Sequence, residues 1–284
     1  MSHAPITAGL VQLCVSDDPE RNLPQTRALI AEAAGRGANF VLTPEATNLL
    51  NADRKTQERL LCPEASDPTL AALREDARRL GICLLIGSLS LRTDEPTDSR
   101  FANRSFLIAP DGGIVARYDK LHMFDVTVSE SETYRESAAF RPGGQAVLAD
   151  GPWPIGLSVC YDLRFPHLYR DLAKAGAQIL TVPAAFNDTT GAAHWEVLLR
   201  ARAIETGCYV LAPAQCGTHA NHLCPERAPR RSHGHSLAVS PWGEIIADGG
   251  TEPGVTMVVL DPAAVLKARS RIPSLTHDRV YSGP

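Results

Sequence analysis

Gly156-Leu157-Ser158-Val159-Cys160-Tyr161-Asp162-Leu163-Arg164-Phe165-Pro166 opens with a short apolar run, reaches a cysteine and turns polar at once. Pro166 then starts a helical pattern in which Leu168, Leu172 and Ala175 recur at three- and four-residue spacing. The stretch reads as strand, tight turn and helix, with a thiol at the corner. In α/β proteins the carboxyl end of a buried strand, ahead of a helix N-terminus, is a place for nucleophiles. The helix dipole and nearby N–H groups favour a thiolate there. A cysteine that ends a strand is nonetheless more often core than catalyst, so partners elsewhere must decide.

Working outward, strand and helix patterns alternate. Residues 6–15 read as a buried strand, and Asp18-Pro19 caps a helix whose face is Leu23, Ile30, Ala31 and Ala34, closed by Gly35 and Gly37. A strand over 39–45 ends on Glu45. Asp67-Pro68 starts a helix with Leu70, Leu73, Ala77 and Leu80 inward and Gly81 closing it, and 82–88 is another buried strand. Strands over 104–109 and 114–120 flank Pro110-Asp-Gly-Gly113, a hairpin signal. Residues 125–144 lack periodicity and read as a long functional loop. Beyond Pro166 come strands over 178–183, 209–215, 236–240, 244–247 and 255–260. A helix over 194–206 buries Trp195, Leu198, Leu199 and Ala203, and a short helix starts at Pro262. No compositional break marks a linker, so the expectation is one α/β domain over residues 1–284.

Composition excludes several classes. At 284 residues, 44% hydrophobic and 21% charged, the chain can bury a sizeable core. A net charge of −4 gives no bulk attraction to nucleic acid or anionic membrane. No run reaches the roughly 20 apolar residues of a membrane span, and Met-Ser-His-Ala-Pro-Ile-Thr lacks the parts of a signal peptide. Seven scattered cysteines suggest no disulfide framework, which points to a reducing cytoplasm. Arg227, Arg230 and Arg231 read as a solvated basic loop. His219, His222, Cys224, His233 and His235 match no tetrahedral metal spacing, so no metal is expected. The absence of a Gly-rich phosphate loop argues against a nucleotide cofactor.

Glu45, Lys120 and Glu136 would complete an amide-cleaving cysteine site. Such a reaction needs a thiolate, a base to make it, an acid for departing ammonia and a cation for the oxyanion. A carboxylate lifted towards neutrality by burial could serve as base and then acid. Any one of these residues alone reads as an exposed salt-bridge partner. Together, Leu42-Thr-Pro-Glu45, Tyr118-Asp-Lys120-Leu-His-Met-Phe, Glu136-Ser-Ala-Ala-Phe-Arg-Pro-Gly143 and Val159-Cys160-Tyr-Asp-Leu-Arg-Phe-Pro166 resemble, in order, the motifs of the nitrilase (carbon–nitrogen hydrolase) superfamily. The resemblance runs over essentially the whole chain.

Pro183-Ala-Ala-Phe186, the segment Thr190–Glu205, Gly234-His-Ser236 and Pro241-Trp-Gly243 are similar to the Nit amidase branch, with its deaminated-glutathione amidases and ω-amidases. Ala214-Gln-Cys-Gly-Thr-His219 is closer to the former group. Tyr161-Asp162 stands where nitrilases proper carry Trp-Glu. The resemblance implies a four-layer α-β-β-α sandwich, no cofactor, and a homodimer or larger assembly built through helical layers. It implies Glu45, Lys120 and Cys160 as catalytic, with Glu136 orienting the lysine. The substrate would be a small amide bearing a carboxylate, held by Tyr161, Arg164, Phe186 and Thr190, with Arg164 as the cation. Deaminated glutathione is the expected substrate, with 2-oxoglutaramate, as for an ω-amidase, or a carbamoylase reaction as alternatives. A non-catalytic binding protein of the same fold is the rival from another class. Two departures stand out: the Pro- and Arg-rich segment 221–231, and Tyr118-Asp119-Lys120 in place of Tyr-Arg-Lys.

Overall fold

The computed structural model describes residues 4–50, 53–95, 97–130 and 132–283, so Met1, Ser2 and His3 of the N-terminal stretch lie outside it. The chain runs β1 (Ile6–Gln12), α1 (Pro19–Gly35), β2 (Phe40–Leu42), α2 (Arg54–Leu60), α3 (Pro68–Leu80), β3 (Cys83–Leu91), β4 (Ala102–Ile108) and β5 (Ile114–Asp119). A ribbon of β6 (Asp125–Ser129) and β7 (Glu132–Arg135) follows, then β8 (Leu148–Asp150), β9 (Pro154–Leu157), α4 (Pro166–Lys174), β10 (Ile179–Thr181), α5 (Asp188–Thr206) and β11 (Tyr209–Ala212). A second ribbon, β12 (Cys216–Thr218) and β13 (Arg231–His233), precedes β14 (Leu237–Val239), β15 (Ile245–Asp248), β16 (Gly254–Leu260) and α6 (Pro262–Arg271).

Two six-stranded sheets result, ordered β16-β1-β2-β3-β4-β5 and β15-β14-β11-β10-β9-β8. Each has a parallel trio at its centre, β1-β2-β3 in one and β9-β10-β11 in the other, flanked by antiparallel strands. Alternation along the strands explains the layering. In β3, Leu84 and Ile86 pack with Ile30 of α1 and Leu73 of α3, whereas Cys83 and Leu85 point into the core shared with Leu157 and Leu211 of the other sheet. Leu168 and Leu172 of α4 and Leu199 of α5 join that core from the opposite side. The order is helices, sheet, sheet, helices: a four-layer α-β-β-α sandwich.

Local chemistry sets the ends. Asp67 caps α3 by accepting from Leu70 N at 2.7 Å, and Gly81 closes it in the left-handed region at φ 66°. Three expectations change. The buried face of α1 is Asn22, Thr26, Ile30 and Ala33, because Asn22 turns inward to hold Ser16 and Asn48. The segment 125–144 contains the β6–β7 ribbon and a 3₁₀ turn at Glu136–Ala138. Finally, α5 begins at Asp188 rather than 194. Asn187 caps it, and its first turns, Asp-Thr-Thr-Gly-Ala-Ala, carry no apolar periodicity.

Candidate active site

The strand ends of both sheets converge on one cavity of about 660 Å³, within the roughly 300–1,000 Å³ of small-ligand sites. Glu45 stands three residues beyond β2, Lys120 one beyond β5, and Cys160 three beyond β9. Gly87 of β3 makes the closeness possible. A Cβ there would lie 2.0 Å from Thr43 O, 2.5 Å from Pro44 O and 2.5 Å from Pro183 Cβ. Cys160 opens a 3₁₀ turn, Cys160–Arg164, at φ 49°, a strained conformation for a side-chain-bearing residue. Its N–H donates to Pro183 O at 2.9 Å.

Glu45, Lys120 and Cys160 are 5%, 2% and 7% exposed. Lys120 Nζ donates to Glu45 Oε1 at 2.9 Å and to Glu136 Oε1 and Oε2 at 3.0 and 2.9 Å. Glu45 Oε2 accepts from Ala185 N at 2.8 Å, and Glu136 Oε2 from Phe124 N at 2.7 Å. The Cys160 thiol donates to Glu45. Gln215 Nε2 holds Glu45 O at 2.9 Å.

Burial would lift Glu45, but the Lys120 charge and the bonds from Cys160, Lys120 and Ala185 take it down to about 2. The expectation of a near-neutral carboxyl is thereby corrected: burial has come with a cation. Burial would lower Lys120, yet Glu136 and Glu45 hold it well above its ordinary value. Burial, then the Glu45 charge, pushes the Cys160 thiol well up. The resting site is carboxylate, ammonium, carboxylate and neutral thiol, so the thiolate expected from the helix dipole is not the resting form. A proton can pass from sulfur to Glu45 as the sulfur attacks an electrophile.

Tyr161, Phe186 and Thr190 line the cavity, but Arg164 does not. Its guanidinium lies over the Tyr161 and Phe186 rings at 5.9 and 5.4 Å and meets His194 Nδ1 at 3.3 Å. The arginines that do line it are Arg54, Arg135, Arg227, Arg230 and Arg231. Arg227 and Arg231 are exposed, as a solvated loop implies, whereas Arg230 is partly buried, and all three border the cavity. Buried Asp17 accepts from the N–H groups of His222, Leu223 and Cys224 at 2.7, 3.0 and 2.8 Å, pinning that segment over the cavity.

Of the residues considered as a zinc set, His233 and His235 lie together with ring centroids 4.9 Å apart, but the set as a whole is not gathered at one point. His219 Nδ1 donates to Val15 O at 2.7 Å and Nε2 accepts from Ser232 Oγ at 2.8 Å, which uses both ring nitrogens. Among the described residues, Asp53, Cys224 and Glu226 are the one grouping close enough to share an ion, and Glu226 is exposed.

Sequence reasoning missed two supporting side chains. Asn103 Nδ2 donates to Glu45 Oε1 at 2.9 Å and Glu136 Oε1 at 3.3 Å, tying the carboxylates without adding charge. Its signal is a polar residue in the buried phase of β4. Asp162, fully buried, accepts from Val159 N (2.9 Å), Tyr118 Oη (2.7 Å) and His122 N (3.0 Å), fastening the Cys160 turn to β5.

Residues 7–270 match the carbon-nitrogen hydrolase family. The chain is similar to the deaminated glutathione amidase of Synechocystis sp. (strain PCC 6803 / GT-S), 38% identical over 281 residues covering 98% of this chain and 99% of the relative. It is likewise similar to the deaminated glutathione amidase of Bos taurus, 38% identical over 285 residues, 98% of this chain and 83% of the relative. The C. elegans NitFhit protein superposes with a TM-score of 0.88 at 34% identity, covering 98% of this chain and 66% of that chain. This chain thus spans just under two thirds of the NitFhit length.

Proposed function

The chain belongs to the carbon-nitrogen hydrolase family, and we propose that it hydrolyses deaminated glutathione to 2-oxoglutarate and cysteinylglycine through a thioester on Cys160. It is a hydrolase acting on amide carbon–nitrogen bonds. The observation that carries the mechanism is the closed network at the buried end of the cavity, where Cys160 meets Glu45 and Lys120 lies between two carboxylates.

Glu45 takes the thiol proton as sulfur attacks the amide carbon. Lys120 and the Tyr161 N–H, in the opening turn of a short helix whose first N–H groups lack helical partners, stabilise the oxyanion. Glu45 then protonates the leaving amine, which is the cysteinyl amine here and ammonia for an ω-amide, and activates the water that clears the thioester. Glu136 fixes Lys120 through both carboxylate oxygens.

The substrate reading rests on relatives carrying that name at 38% identity and on the arginines along the cavity. Unpaired thiols at all seven cysteines support a reducing, cytoplasmic setting. Among the described residues no helix is long and apolar enough to cross a membrane. Exposed Val197 and Ile204 on α5 and Leu266 on α6 support association with a second copy of the chain. The test is product release from deaminated glutathione, 2-oxoglutaramate and a carbamoyl amine at matched concentration. The expected order puts deaminated glutathione first, and a higher kcat/KM for either of the others would overturn the substrate assignment.

A further inference from the structure

Among the described residues, the buried side-chain atoms without a hydrogen-bond partner are Asn103 Oδ1, Thr190 Oγ1 and Arg230 Nε. All belong to residues lining the catalytic cavity. A buried polar atom left unpaired is costly, and natural structures rarely tolerate one without a purpose. Arg230 is also held in place. Its Nη2 donates to Ala185 O at 2.5 Å, its guanidinium lies 5.6 Å from the Tyr134 ring centroid, and its backbone oxygen accepts from His219 N at 2.9 Å.

Its charge is nonetheless uncommitted, since no ion pair among the described residues includes it. Neighbouring carboxylates along the cavity are engaged elsewhere. Glu132 accepts from Tyr134 Oη and from Asn187 Nδ2, and Asp188 pairs with Arg231 at 3.3 Å. Ala185 fixes where this charge lies, because the residue whose carbonyl holds Arg230 gives its N–H to Glu45 Oε2 at 2.8 Å. A planar cation with an open donor therefore stands one residue's backbone away from the proton-transferring carboxylate. The Thr190 hydroxyl offers a second free partner on the same cavity.

A guanidinium fork and a free hydroxyl on the same cavity suit a carboxylate. We propose that Arg230, together with Thr190, receives a carboxylate of the substrate and so restricts the enzyme to anionic amides. This deepens the amidase reading and rests on it. The carboxylate can belong to the acyl half or to the leaving half of the amide, and the experiment separates the two.

The measurement is kcat/KM for two matched pairs: 2-oxoglutaramate against its methyl ester, and 2-oxoglutaryl-glycine against 2-oxoglutaryl-glycinamide. In Arg230→Gln the charged-to-neutral ratio should fall roughly 10- to 100-fold in one pair, carried by KM, as expected for loss of a hydrogen-bonded charge partner. Arg230→Lys should restore part of it. The pair that responds names the half of the substrate. Thr190→Val, a near-isosteric change, should lower the same ratio a few-fold and carries the test if Arg230→Gln does not fold. An unchanged ratio in both pairs with folded variants overturns the proposal, as does an equal loss on charged and neutral amides. If the wild type cleaves none of the four amides, the amidase reading fails instead. Calorimetric titration with glutarate then decides: a Kd at least about 10-fold weaker in Arg230→Gln upholds the carboxylate site, and an equal Kd overturns it.

Discussion

The buried and the exposed ends of the cavity treat charge in opposite ways. At the buried end Lys120 is shared between Glu45 and Glu136 at 2.9 Å each, and Asn103 ties the same two carboxylates. Glu45, Lys120 and Cys160 each stand within three residues of a sheet strand. At the exposed end Arg135, Arg227 and Arg230 enter no ion pair among the described residues, and the last two ride on a segment held by backbone contacts to Asp17 and His219. Compensated charge is fixed geometry, suited to stabilising a transition state without rearranging. Uncompensated charge is affinity waiting for a ligand, suited to selection among substrates.

The hardest blow to that contrast should come at Cys160. Cys160→Ser and Cys160→Ala are expected to lose at least about 10⁴ in kcat while melting close to wild type, since both replacements are small and fit the same corner. Mass measurement of quenched wild-type enzyme should find the acyl group on the Cys160 peptide. A fully active Ser variant would end the cysteine mechanism.

Next comes the cation between the carboxylates. Lys120→Ala strands Glu45 and Glu136 together in a buried place and should cost about 3–5 kcal/mol of stability, along with most of the turnover. At the exposed end Arg227→Gln should shift stability by no more than about 0.5 kcal/mol, as surface changes usually do. Melting curves of the two variants side by side test the contrast directly, and equal shifts would erase it.

How much of this was legible follows the same division. The buried run 82–88, the helix with its Asp67 cap and Gly81 stop, and the strand-end positions of Glu45, Lys120 and Cys160 all announce themselves locally, through periodicity and punctuation. Asn103 and Asp162 act through partners 33 to 58 residues away, which no local pattern reports. Arg230 was read as solvated because its segment has loop composition, while its place depends on Ala185, 45 residues earlier. Arg164 shows the converse error. It stands four residues after Cys160, yet its side chain turns onto Tyr161 and Phe186 rather than into the cavity. The early start of α5 escaped notice because Gly191 breaks its pattern. That glycine is needed, since a Cβ there would meet His233 Cβ at 2.4 Å.

A gentler probe of the buried end is Glu136→Gln. The amide keeps the shape and leaves Lys120 paired with Glu45, but it removes the charge that holds the ammonium from the other side. Turnover should fall roughly 10²–10³-fold, the size of one preorganised oxyanion contact, with a small change in melting temperature. Steady-state kinetics beside a melting curve check both halves. A variant within a few-fold of wild type would reassign the second glutamate, and Glu132, which lines the cavity, would come ahead of exposed Glu130.

The smallest effect on turnover should come from the exposed end, through His219. Burial, with the Arg230 charge adding to it, outweighs the Val15 contact and holds the imidazole down at about 4, against roughly 6.5 in an unfolded chain. Between those values the unfolded state binds a proton that the folded state refuses, so stability falls as pH drops from about 6.5 to 4, by roughly 3 kcal/mol in all. Glu45 is shifted in the same direction, in a lower window. With a folded value near 2, its contribution is full above about 4.3 and is lost as pH falls from there towards 2. His233, also held low by burial and by His235, adds to the same slope as His219, so the readout is the difference between His219→Gln and wild type. Melting temperatures taken between pH 4 and 7 should converge for the two proteins towards pH 4 and diverge towards neutrality, where the wild type keeps the His219 bonds to Val15 and Ser232. Because the His219 ring anchors to Val15 and Ser232 the backbone whose N–H holds Arg230 O, the variant should weaken KM more than kcat. Parallel curves across the whole range would mean that the imidazole is not held neutral, and the pinning of the Arg230 segment would have to rest on Asp17 alone.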